Sequence, residues 1–138
     1  MTINDAYPLP LIEEIFTSLR DAYCFLPLDL LRGYHQILGA RRIARKIAFL
    51  THKGHYVFKV MPYGLGHAPA TFQRIMEGIF RDQIGKDFAA YLDDLLMYAL
   101  RHGEMLHLLD RTLGQLIDSG LNCKPRKGHV FPDSIQYL

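Results

Sequence analysis

The stretch AAYLDDLLMYAL, residues 89–100, sets two adjacent carboxylates, Asp93 and Asp94, among apolar, tyrosine and small side chains. An unpaired carboxylate taken out of water costs on the order of several kcal/mol even after relaxation, so such a pair needs a cation, a proton or an exit to solvent. A third acid, Asp29, stands near the end of another apolar and aromatic run, YCFLPLDL at 23–30. If the fold makes these two stretches neighbours, three carboxylates distant in sequence meet in space. Carboxylates so grouped can hold two Mg²⁺ ions about 4 Å apart, which activate a hydroxyl nucleophile and stabilise the leaving oxygen in phosphoryl transfer. Magnesium suits ligands that are all hard oxygens, with triphosphate oxygens completing the octahedra. An isolated Asp-Asp pair is far more often a polar turn, so the assignment depends on its surroundings.

The elements that would position these acids follow from hydrophobic period. Two prolines in DAYPLPLIEEIF lead into apolar residues at helical spacing (Leu11, Ile12, Ile15, Phe16, Leu19), predicting a short helix over 10–20. Residues 23–30 then read as a core strand. Residues 43–50 and 55–61 carry β-branched and aromatic side chains on either side of THKGH, where Gly54 suits a tight turn, so a hairpin is expected there. MPYGLGHAP is a loop, and Pro69 opens a helix over 69–84 with an apolar stripe of Phe72, Ile75, Met76, Ile79, Phe80 and Ile84, ended by Gly85. Phe72 and Met76 are core residues on this pattern. Two short strands, 87–91 and 95–99, flank Leu92-Asp93-Asp94 and give a hairpin with an acidic tip. A stripe of Met105, Leu106, Leu109, Leu113, Leu116 and Ile117 marks a helix over 102–119, with Gly120 as its C′ residue, and an extended piece follows.

The order strand, insertion, helix, strand, strand, helix, strand is an α+β pattern: the split βαβ arrangement, two helices on one face of an antiparallel sheet. In it the strand ending near Asp29 can lie beside the hairpin. Adjacent residues of a regular strand point to opposite faces, so a turn must bring both Asp93 and Asp94 to the site, or only one is a direct ligand. Asp93 is the favoured ligand, facing Asp29, with Asp94 accessory.

Composition narrows the class. At 138 residues and 49% hydrophobic content the chain fits a single domain able to bury about two thirds of its unfolded surface. It contains no run of 18 apolar residues and no signal-peptide pattern, so an intracellular chain without a transmembrane segment is expected. Cys24 and Cys123 are far apart and lack a CxxC partner, which fits reduced structural thiols. His52-x-x-His55 sits in the expected turn beside Lys53 and Gly54, and reads as surface histidines rather than a metal site. Net charge is +2, but no acid occurs between Asp29 and Glu77, whereas Arg32, Arg41, Arg42, Arg45, Lys46, Lys53, Lys59 and Arg74 all do. One-sided charge of this kind favours a polyanion partner through counterion release, although most charge runs are simply solvated faces.

Three motifs remove the ambiguity of the acid pair. LDLLRGYHQI at 28–37, VMPYGLGHAPATFQRIM at 60–76 and YLDD at 91–94 occur in an order and spacing that resembles the reverse transcriptases of long-terminal-repeat retrotransposons of the gypsy (Ty3) group. The similarity runs from DAYPLP through KIAF and GHYVFKVMPYGL to the closing YL. The resemblance implies the palm of a right-hand polymerase with a fingers-like hairpin over 40–62, the whole chain being one partial reverse transcriptase domain. It implies RNA-directed DNA polymerase activity, a nucleotidyltransferase adding dNTPs to a primer 3′-OH on an RNA or DNA template, with two Mg²⁺ ions that Mn²⁺ can replace.

By motif position, Asp29, Asp93 and Asp94 match the family's catalytic metal-binding triad. Leu30, Arg32 and Gly33 match positions beside the triphosphate, where backbone amides approach and the lack of a Cβ on glycine helps. Tyr34 matches an aromatic gate whose ring crowds a ribose 2′-OH, Tyr63 the floor of the nucleotide pocket, and Gln73 a residue that holds that pocket together. Tyr91 and Leu92 fall where the primer end is expected. The chain departs from the family at His67, usually Asn; at Arg32, usually small; in the basic GARRIARKIAF; and at Gly128, usually Cys. Asn caps a helix better than His by about 1 kcal/mol.

The family's preceding strands, thumb and RNase H domain have no counterpart here, so the chain is expected to be a polyprotein fragment with very low activity alone. The implied partners are template-primer, dNTPs and the remaining domains (thumb, RNase H, integrase), in a cytoplasmic particle or the nucleus. The rival from another class is a non-catalytic nucleic-acid-binding remnant of a decayed or host-adopted retroelement, favoured by the basic segment and predicting salt-dependent binding without metal dependence. A nucleotide cyclase would share the metal-bound carboxylates but explains neither MPYGL…APATFQ nor Tyr34.

Overall fold

A computed structural model of the chain describes residues 7–39 and 47–124. The elements are α1 (Ile12–Ser18), β1 (Cys24–Leu30), α2 (Gly33–Gln36), β2 (Phe49–Thr51), β3 (Gly54–Tyr56), α3 (Ala68–Ile79), β4 (Phe88–Tyr91), β5 (Asp94–Ala99), α4 (His102–Asp118) and β6 (Cys123–Lys124). β4, β5, β1 and β6 form one antiparallel sheet in that order, and β2 pairs with β3 in a separate two-stranded ribbon.

Side chains alternate along the central strands, and the alternation divides the core in two. Leu26, Leu30, Phe88, Ala90, Leu95 and Met97 join Phe72, Met76 and Phe80 of the α3 segment and Met105, Leu108 and Leu116 of α4. Ala89, Leu96 and Tyr98 face the other way and pack with Ile15 of α1. The two-helix face expected from the element order is therefore present, and α1 partly covers the opposite face as well. Pro27 sits in β1 without cost to the ladder. It lies opposite Leu96, while the hydrogen-bonded pairs of these strands fall on its neighbours, so its missing N–H faces away from β5. On that side β6 pairs only with Asp29 and Leu30.

Several boundaries differ from the sequence expectation. α3 stops at Ile79, not 84, because the chain turns at Phe80, whose ring stacks on Phe88 at 4.4 Å; the amides of Gln83 and Ile84 both donate to the Phe80 carbonyl. Gln83 stays fully buried through Thr112, whose hydroxyl donates to it at 3.1 Å, and through Gln115, to which it donates. The buried stripe of α4 is Met105, Leu108, Thr112 and Leu116, while Leu106 and Ile117 are exposed, so the inward face is rotated from the one predicted. The helix ends in a Schellman motif, with Gly120 at φ 69° donating to Ile117 and Leu121 donating to Leu116. The β2–β3 ribbon is shorter than expected: beyond Tyr56 the chain leaves β2, and Val60 bridges to Leu38 instead. Its predicted start at 43–46, the cations Arg41, Arg42, Arg45 and Lys46, and Gly128 lie outside the described residues. Among the described residues no helix is long and apolar enough to cross a membrane.

Candidate active site

β1 and β5 run antiparallel with Asp29 directly opposite Asp94. The Leu30 amide donates to the Asp93 carbonyl at 3.3 Å, which makes Leu30 and Asp93 a hydrogen-bonded pair and Asp29 and Asp94 the adjoining non-hydrogen-bonded pair. Side chains approach most closely in pairs of the second kind, and like charges there repel. Asp94 is thus a strand residue, not part of the hairpin tip, and it is Asp94 rather than Asp93 that lies opposite Asp29. Asp93 occupies the two-residue loop between Tyr91 and Asp94 together with Leu92.

Leu92 adopts φ 56°, a left-handed conformation that is costly for a γ-branched side chain and that fits the first central position of a II′ hairpin turn. It is held there by Gln73. This glutamine of α3 has no exposed surface; its Oε1 accepts from the Leu92 amide at 3.0 Å, and its Nε2 donates to the Ala90 carbonyl at 3.0 Å and to Glu77 at 3.0 Å. Gln73, read from the sequence as holding the nucleotide pocket together, is buried beneath the hairpin and fixes the turn that presents Asp93.

On the other side of the tip, α2 begins at Gly33. A Cβ at Gly33 would lie 2.9 Å from Phe72 Cζ and 3.1 Å from Asp93 Cβ, so the absence of that carbon lets Asp93 and the Phe72 ring close on α2. Arg32, exposed just before it, is left-handed at φ 53°. Tyr34 is buried, its ring 4.9 Å from Phe72 and 5.2 Å from Tyr63. Burial, then the Asp93 charge, then Tyr63 push its hydroxyl above the ordinary tyrosine value. Tyr34 and the exposed Tyr63 line a cleft of about 310 Å³ with Gly64, Leu65, Ala68 and Pro69. Leu30 is buried in the helical core, and Tyr91 packs on the α1 side of the sheet.

Gln36, a residue the sequence reading passed over, ties this region to β6. Its Nε2 donates to the carbonyls of Leu31 (2.8 Å) and Asn122 (2.9 Å), and its Oε1 accepts from the Asn122 amide at 2.6 Å. A polar residue inside the otherwise apolar end of GYHQIL was the available signal. His67, at the N-cap of α3, makes no side-chain capping bond.

Among the described residues no group of three or more His, Cys, Asp or Glu side chains is already gathered as a metal cage. The donor set nevertheless fits a hard divalent cation: two carboxylates paired in register and a third in the adjoining turn. Missing ligands would come from substrate oxygens.

A sheet with two helices on one face, a carboxylate strand at its centre and a carboxylate hairpin beside it defines the palm of a right-hand polymerase. The chain is similar in fold to the prototype foamy virus protease-reverse transcriptase, with a TM-score of 0.74 at 18% identity over 88% of this chain and 16% of that one. It is also similar to the foamy viral protease-reverse transcriptase in complex with RNA/DNA hybrid, at TM-score 0.72 and 19% identity over 82% of this chain and 15% of that one. The family model described as reverse transcriptase (RNA-dependent DNA polymerase) matches residues 1–138, and the chain belongs to that family. It is 36% identical over 137 residues to the retrovirus-related Pol polyprotein from transposon gypsy of Drosophila melanogaster, covering 99% of this chain and 13% of the polyprotein. Against the corresponding polyprotein from transposon 297 of the same organism it is 39% identical over 138 residues, covering 100% and 13%. The RNA-directed DNA polymerase homolog of Oenothera berteroana is 36% identical over 107 residues, 78% of this chain and 75% of that protein. The chain thus spans about an eighth of the length of the transposon polyproteins it matches.

Proposed function

We propose that this chain supplies the catalytic palm of an RNA-directed DNA polymerase, adding dNTPs to a primer 3′-OH on an RNA or DNA template. The observation that carries this reading is the register that sets Asp94 opposite Asp29, with Asp93 in the turn closed against Gly33. Two Mg²⁺ ions held by Asp29, Asp93 and Asp94 would activate the primer hydroxyl and stabilise the departing pyrophosphate oxygen. The protein's own part is positional. Gln73 holds the turn, Gly33 admits Asp93, and the amides near Arg32 and Gly33 face the incoming triphosphate. The Tyr34 ring, braced by Phe72, limits the space at the sugar and so favours a deoxyribose, with Tyr63 forming the pocket floor. Tyr91 and Leu92 take the primer end, and the β2–β3 ribbon belongs to the fingers. The remaining polyprotein domains, including a thumb, an RNase H and an integrase, would complete the enzyme in a cytoplasmic particle or the nucleus, and alone the chain would have very low activity.

Primer extension by the chain joined to fingers and thumb segments of a gypsy-type relative tests this. Mg²⁺-dependent extension is expected, lowered by at least about 100-fold in Asp29→Asn and in Asp93→Asn, as for removal of a principal electrostatic group. Undiminished extension by Asp93→Asn would sink the catalytic assignment. The exposed cations Arg32, Lys53 and Lys59 support a second reading, a nucleic-acid-binding remnant. It predicts salt-dependent binding of template-primer that is indifferent to Mg²⁺ and to all three acids.

A further inference from the structure

Glu77 lies on α3 one turn beyond Gln73 and is half-buried. One of its carboxylate oxygens accepts from Gln73 Nε2 at 3.0 Å, and the other accepts from the hydroxyl of Tyr7. The Arg74 guanidinium stacks over the Tyr7 ring, 4.8 Å from its centroid. These contacts form a continuous chain from Tyr7 through Glu77 and Gln73 to the Leu92 amide in the left-handed turn.

The direction of each bond is fixed by chemistry. A primary amide has two N–H donors on one side and an acceptor oxygen on the other, and it can be turned end for end. An ionised carboxylate only accepts, so Glu77 admits the orientation that turns Nε2 toward it. In that orientation the second N–H reaches the Ala90 carbonyl and Oε1 faces the Leu92 amide. Because Gln73 has no exposed surface, water cannot replace a lost partner. We propose that Glu77 is a positioning residue for the catalytic hairpin, acting through Gln73, and that Tyr7 extends this control to the segment ahead of α1. The proposal rests on the polymerase reading for its functional meaning, but the hydrogen-bond chain can be tested apart from it.

Amide hydrogen exchange in the 138-residue chain, comparing Leu92 with Met97 in the middle of β5, reads the turn directly. Glu77→Leu, which keeps bulk but removes the acceptor, should speed Leu92 exchange by about tenfold with Met97 unchanged, the loss expected when one buried bond is broken locally. Glu77→Gln, whose side-chain oxygen still accepts, should restore protection. Leu92 exchange unchanged in Glu77→Leu would overturn the proposal. If Leu92 and Met97 accelerate together, Tyr7→Phe decides: faster exchange at Leu92 alone supports the chain of bonds, and no change overturns it. In the primer-extension assay the same Glu77→Leu change should lower kcat and leave KM for dNTP unaltered. A fused enzyme that makes no DNA at all would defeat the polymerase reading while leaving the exchange result standing.

Discussion

Gly33 carries the closest approach in the site. Its neighbours Phe72 and Asp93 are placed so that an added methyl must displace a fully buried ring in a close-packed interior. Gly33→Ala is expected to destabilise the fold by about 1–3 kcal/mol in urea unfolding, as overpacking does. Tyr34 gives a pH signature at the same scale. Burial, helped by the Asp93 and Tyr63 charges, raises its pKa, so the folded chain keeps that proton where the unfolded chain has lost it. The sign follows: stability is intact below about pH 10, the unfolded tyrosine value, and falls as pH rises toward the raised folded value. Tyr34→Phe should flatten the loss of stability above about pH 10. Some slope remains, because the hydrogen bond to Glu77 raises Tyr7 and burial raises Tyr98. The residue types at Asp29, Asp93 and Asp94 were legible in the motifs. Which acid opposes Asp29 was not, since that depends on a one-residue register set by the left-handed Leu92, and nothing in a leucine announces such a conformation.

Among the elements, α3 does most to organise the site. Phe72 braces Tyr34, Gln73 holds the hairpin, and both lie within the first two turns, so the helix start sets the geometry. That start is weakly capped. His67 makes no capping bond from its side chain, and Asn at an N-cap satisfies an amide that His leaves to other partners. His67→Asn should therefore stabilise the chain by about 1 kcal/mol, read as a higher urea midpoint with an unchanged slope. The start of α3 could be read from Pro69 and its stripe; its end could not, because Phe80, Gln83 and Ile84 keep facing the core through tight turns after the helical hydrogen bonds stop. The same limit applies to α4, where Thr112 took an inward place that an apolar residue was expected to hold. Its partner Gln83 comes from 29 residues away and is invisible to periodicity.

At the scale of the whole molecule, the antiparallel sheet with two helices on one face, and the Asp29 strand beside the hairpin, were legible because the strand and helix periods alternate along the chain; the place of β6 at the far edge was not. The coverage of the second face by α1 was not, since a seven-residue amphipathic helix does not specify which surface it joins. The β2–β3 ribbon stands apart from that sheet with Phe49, Leu50 and Tyr56 exposed, and a two-stranded ribbon has little stability of its own.

In the proposed function, Asp29, Asp93 and Asp94 act together on a divalent cation bound with a dNTP. Paramagnetic broadening by Mn²⁺ tests this most directly, followed at the backbone amides of the 138-residue chain with and without a dNTP. Broadening is expected to centre on Asp29, Asp93, Asp94 and Gly33, to strengthen with the dNTP and to be lost in the Asp29→Asn, Asp94→Asn double variant. Broadening that spares these amides, or that persists unchanged in the double variant, would contradict it.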